Sequence, residues 1–209
     1  ANVENAANLG IAWQEFYQNT TSLDDPLFSR LTIEPWLRLK PTSHKTKAKN
    51  GNNPQDDFEK ELYLAVYFFG SDDHHEDFMN RYYPMIVDMI PNGNVSKISR
   101  VSNIRFHKKL GGVRTIKQLA SGHDGWDINK RWKGYSAVAT YSISRETFQV
   151  LAEGIYESIP YTERYVEIKP LGGAISKTPK DSTAFWHRDA LWWLLSSHVF
   201  SPSDSDILV

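Results

Sequence analysis

Two segments near the C-terminus constrain this chain most. From Tyr165 through Val166, Glu167 and Ile168 to Lys169 the side chains alternate as in a half-buried β-strand. Pro170 ends that strand, and Gly172-Gly173 supply backbone freedom that residues with a Cβ lack. A polar loop leads to a second, strongly apolar strand from Asp189 to Phe200. The chain therefore has to build a sheet around these two strands.

Upstream, Trp13 to Tyr17 is a short amphipathic piece, and Asp24-Asp25-Pro26 breaks the chain. Leu27 to Leu39 reads as a long strand, with Leu27, Ser29, Leu31 and Ile33 on one side and Phe28, Arg30, Thr32 and Glu34 on the other. Lys40 to Asp57 is polar and reads as an exposed loop. Glu61 to Gly70 is nearly continuous Leu, Tyr, Ala, Val and Phe, which predicts a strand covered on both faces. A helix is expected next, capped by Asp73 with Glu76 completing a capping box, and running to Met89 before Pro91-Asn-Gly. Ile98 to Phe106 could be a strand, Gly111-Gly112 and Ser121 to Trp126 mark loops, and Gly134 to Ser142 alternates as another strand. Ser144 can cap a helix through Glu157, with Phe148, Leu151 and Ile155 on one face. Strand, turn and helix in this order fit an α+β unit.

Pro170-Leu-Gly-Gly173 followed by Phe185-Trp-His-Arg188 resembles the berberine-bridge and sugar-oxidase branch of the covalent-FAD oxidoreductases. The resemblance implies an α+β fold with a large antiparallel sheet flanked by helices on one face. In that family such a sheet forms the substrate-binding domain and roofs the flavin. It also implies structural roles for Pro170, Gly172, Gly173, His187 and Arg188, the last two tying a loop to its neighbours. The FAD-binding domain of the family has a Gly-rich phosphate loop and His and Cys attachment points, and an Asn-Tyr motif returns near its end. This chain lacks the loop, has no Cys, and shows no Asn-Tyr near its end. Residues 1–209 thus read as a single substrate-binding-type domain without the FAD-binding domain, inactive alone and binding no FAD alone.

With 209 residues, 40% apolar, one substantial core is the plain reading. Twenty-four basic against 25 acidic residues give no nucleic-acid footprint, and no apolar run is long enough to span a bilayer. The absence of cysteine excludes disulfides, thiolate metal sites and cysteine nucleophiles. The sequons Asn19-Thr-Thr and Asn94-Val-Ser favour a secreted or extracellular protein.

The candidate substrate contacts are Glu34, Glu167, Lys169, Trp192 and Leu194. Alternation puts Glu167 and Lys169 on one face, where they could bond sugar hydroxyls or form a plain exposed ion pair. Trp192 could stack on a sugar ring or sit in the core. Leu194, seven residues after His187, occupies the position where alkaloid and cannabinoid members of the family carry a catalytic Glu, and leucine takes no proton. No catalytic residue is therefore assigned. His74-His75 among Asp72, Asp73, Glu76 and Asp77 fits capping better than metal, because adjacent helical positions point about 100° apart. No metal is expected, and Ser121, His123 and Asp124 read as a turn rather than a triad.

The leading expectation is the substrate-binding part of an FAD-linked oxidase acting on a carbohydrate or similar hydroxyl compound, with a second polypeptide as one possible carrier of the FAD domain. The alternatives are a stand-alone carbohydrate-binding, lectin-like domain and an interaction domain without enzymatic ancestry.

Overall fold

A computed structural model describes residues 1–20, 25–41, 58–68, 71–90, 131–157, 163–171 and 174–200. Five strands, β1 (Leu31–Pro41), β2 (Phe58–Phe68), β3 (Arg131–Ala139), β4 (Glu163–Pro170) and β5 (Trp192–Phe200), form one antiparallel sheet in the order β2-β1-β4-β5-β3. The helices are α1 (Val3–Thr20), α2 (Asp72–Arg81), α3 (Tyr83–Asp88), α4 (Arg145–Tyr156) and the short α5 (Ala174–Lys177). This is the expected α+β class, and helices α1 to α4 pack on one face of the sheet.

The pleat sorts the strands. Leu31, Ile33, Leu37 and Leu39 of β1 face the helices together with Phe68 of β2, Val166 and Ile168 of β4, and Trp192 of β5. Burying such side chains stabilises by about 1.5–3 kcal/mol each and provides most of the drive to fold. Helix α1 is longer than the five residues visible in the sequence. Its buried stripe runs through Ala6, Leu9, Gly10, Trp13, Phe16, Tyr17 and Thr20, and the small residues among these weaken the hydrophobic signal. Gly10 lies against Phe148 of α4, where a Cβ would come 2.5 Å from the ring. A glycine is needed there for the close helix approach.

Helix α1 also completes the sheet. Strand β4 pairs with β1 only from Trp36 to Leu39. At Ile33 the backbone N–H donates to the Tyr17 hydroxyl at 2.7 Å, and the carbonyl accepts from the Trp13 indole at 2.8 Å. Buried backbone groups have to be paired somewhere, and here two aromatic tips take the place of a neighbouring strand. Gln14 does the same for Ile143, donating to its carbonyl and accepting from its N–H.

Several expectations need correction. Strand β2 is not covered on both faces: it ends the described sheet, and Tyr63 and Tyr67 are each 37% exposed. Its apolar run arises because Leu62, Leu64 and Val66 pack toward the core while the other side is aromatic. The strand from Leu27 starts at Leu31, after a 3-10 turn at Phe28–Arg30. The first helix cap is Ser71 rather than Asp73, since its hydroxyl accepts from the His74 N–H and the His74 ring takes the Ser71 N–H. That helix is also two helices, parted at Tyr82 where Pro84 cannot donate a backbone hydrogen bond. The Ser144-capped helix and β4 form where expected, whereas β3 spans Arg131–Ala139 rather than 134–142 and β5 begins at Trp192 rather than Asp189. The expected strand at 98–106, the Gly111-Gly112 turn, the 121–126 loop, and Gly172 and Gly173 lie outside the described residues, as does the 40–57 loop beyond Pro41.

Candidate functional site

The sheet face away from α1 to α4 gathers the polar and charged candidates. Continuing the β1–β4 register places Glu34 across from Lys169 and Trp36 across from Glu167. Glu34 is 7% exposed and Glu167 5%, so the strands have buried two carboxylates within one cluster. Burying a charge is costly unless it is matched, and Lys169 supplies the match. Its ammonium forms an ion pair with Glu167, lies 3.9 Å from Glu34 Oε1, and sits 5.5 Å from the centre of the Trp193 ring. Burial works against the charged lysine, but Glu167, Glu34 and Tyr67 outweigh it and hold its pKa above the ordinary value.

Glu34 goes the other way. Burial, the neighbouring Glu167 charge and a hydrogen bond between the two carboxyls push its pKa up to about 7, against the pull of Lys169 and the Trp36 indole. Tyr67 on β2 is raised by burial and by both carboxylates.

Beside this cluster the face is aromatic. Trp36 stacks on Tyr63 with centroids 5.8 Å apart and an interplanar angle of 11°, and packs 5.1 Å from Tyr165, which meets Trp132 at 6.0 Å. Beyond the aromatic row Arg38 pairs with Glu163 and Glu61, and Lys40 with Glu61 and Glu59. The face thus offers carboxyls, an ammonium and flat rings side by side, the groups that hold hydroxyl-bearing rings by hydrogen bonds and stacking.

Glu34, Glu167 and Lys169 of the sequence candidates come together. Trp192 and Leu194 do not join them. Trp192 is 3% exposed and packs against Trp13 at 4.6 Å, beneath α1, and Leu194 packs on the same core. The register explains this, because Lys169 lies opposite Trp193 while Pro170 lies opposite Trp192. Trp193, Trp36, Tyr63 and Tyr67 are the residues that sequence reasoning missed. Both sides of β5 are apolar enough for either phase, so only the partner register could have chosen between them. The Lys169–Glu167 pair is not an exposed surface pair, since Glu167 is buried.

Pro170 closes β4, and Arg188 lies in the loop before β5. It is buried, its guanidinium donates to the Thr183 hydroxyl, and it stacks 5.4 Å from the Phe185 ring. His187 is exposed and touches the Phe185 ring edge-on at 5.9 Å. Ser182 and Thr183 bond within the loop. His74 serves the α2 cap, and no metal-binding cluster occurs among the described residues.

The same architecture occurs in solved oxidoreductases. Berberine bridge enzyme from Eschscholzia californica matches 99% of this chain at 16% identity and a TM-score of 0.59, over 35% of its own length. Aclacinomycin oxidoreductase matches 99% at 13% identity and a TM-score of 0.61, over 36% of its length. Chitooligosaccharide oxidase matches all of the chain at 15% identity and a TM-score of 0.54, over 39% of its length. The chain therefore has the fold of a segment of these proteins and spans little more than a third of each. No protein-family model and no curated protein matches it by sequence.

Proposed function

We propose that this chain is the substrate-binding domain of an FAD-linked oxidoreductase that acts on a carbohydrate or a related hydroxyl compound. The observation that carries this reading is the sheet face away from α1 to α4, on which Glu34, Glu167 and Lys169 adjoin Trp193 and the Trp36–Tyr63 stack. The shared fold with berberine bridge enzyme, an oxidoreductase and an oxidase supports the reaction class, and the chitooligosaccharide named for one of them supports the substrate class. Among the described residues, the cations on this face, Arg38, Lys40 and Lys169, are each committed to a carboxylate, so they do not suit a dinucleotide pyrophosphate. The flavin belongs to a part of the protein beyond this chain, whether in the same or a second polypeptide, and this domain forms the wall that orients the substrate.

The test is to express the full-length protein and assay oligosaccharides and simple alcohols for oxidation, with and without Trp193→Ala and Lys169→Met. The reading predicts flavin absorbance near 450 nm in the full-length protein and a loss of substrate affinity of about tenfold or more in each variant. A colourless full-length protein that still binds oligosaccharide would favour a lectin-like domain, which the exposed Tyr63 and Tyr67 also suit.

A further inference from the structure

We propose that Glu34 is a catalytic residue of this site, the group that accepts the proton when a substrate hydroxyl is oxidised. The inference rests on the reading of this face as a substrate wall. Position comes first: Glu34 lies within β1, where it pairs with Ala65 of β2 two residues before the β4 ladder begins at Trp36, so a strand rather than a loop carries its carboxyl.

The neighbours divide the labour. Glu167 takes the direct ion pair with Lys169, which leaves Glu34 as the carboxyl whose cation stands off at 3.9 Å. The remaining acids of the same face among the described residues, Glu59, Glu61 and Glu163, are paired with Arg38 or Lys40. Leu194, where a base is expected from the resemblance, has no proton chemistry and faces the helices. The ionisable groups around Glu34 are Glu167 and Lys169 from β4, Tyr67 from β2, and Tyr17 from α1. Together with burial, they leave Glu34 with an affinity for a proton suited to accepting and releasing one near neutral pH.

The step balances as follows. The substrate O–H bond breaks and its proton passes to the Glu34 carboxylate, while the C–H bond on the same carbon breaks and leaves as hydride to an acceptor of the flavin class. The C–O bond becomes C=O, and neutral Glu34 returns its proton to solvent.

The first experiment needs no turnover. Carbon-detected NMR titration of the glutamate carboxyls in this chain should show one group with a midpoint near 7 that is absent in Glu34→Gln. That midpoint should fall in Glu167→Gln, which removes a neighbouring carboxylate, and rise in Lys169→Met. A Glu34 that titrates in the ordinary carboxylate range would overturn the proposal. In the full-length protein, Glu34→Gln should lower kcat about 100-fold with KM changed by less than about threefold. Glu167→Gln should move the acid limb of kcat/KM to lower pH in step with the NMR shift. An oxidase whose Glu34→Gln variant keeps kcat within about threefold would refute the role of Glu34 and leave the substrate wall standing. A full-length protein that oxidises nothing would overturn both.

Discussion

The two faces of the sheet are built from the same strands and solve opposite problems. Toward the helices, Ile33, Ile168, Trp192 and their neighbours exclude water, and the backbone groups of Ile33 are matched inside the chain by Trp13 and Tyr17. Away from the helices, Glu34, Glu167 and Lys169 are held close together at an electrostatic cost, beside aromatic rings that are partly bare. One residue of register separates the roles, since Trp192 is core and Trp193 lies under the Lys169 ammonium. The lesson is that stability is concentrated on one side of the sheet and electrostatic cost on the other, as expected for a scaffold that carries a site.

This contrast can be broken most forcefully at Ile33, which is fully buried. Ile33→Asp should cost about 4 kcal/mol or more and leave little folded protein by denaturant unfolding. A mild effect would show that the helix side is wet.

A smaller effect of opposite sign is expected at Glu34. Its pKa is raised in the folded state, so between the ordinary glutamate range and about 7 the folded chain holds a proton that the unfolded chain has lost. Stability therefore falls as pH rises through that window, and the full penalty is present above about 7. Glu34→Gln removes it and should stabilise the chain by on the order of 2 kcal/mol at pH 8 while changing little at pH 4. Equal effects at both pH values would contradict the buried carboxyl pair.

How far the sequence could be read follows from the same contrast. The α+β class, the helix after Ser144 and the strand at Tyr165 to Lys169 are legible because period and caps agree there. Glu34, Glu167 and Lys169 stand out as polar residues within strands. The aromatic half of the site is hidden: Tyr63 and Tyr67 make β2 look like a core strand, since a ring waiting for a ligand and a ring packed in a core are the same residue. Helix α1 is under-read for the converse reason, its core stripe being partly Ala and Gly. The choice of Trp192 over Trp193 fails because β5 is apolar on both sides, and pairing with β4 decides it.

The pair Trp192 and Trp193 therefore gives the most direct test of the two-faced sheet. Equilibrium unfolding of Trp192→Ala and Trp193→Ala should be compared in the same buffer. The account predicts a loss of about 3–5 kcal/mol for Trp192→Ala, which empties a site beneath α1, and about 1 kcal/mol for Trp193→Ala, which uncovers Lys169 on the face away from α1 to α4. A Trp193→Ala variant that unfolds while Trp192→Ala stays near wild type would contradict the assignment of faces and the site built on it.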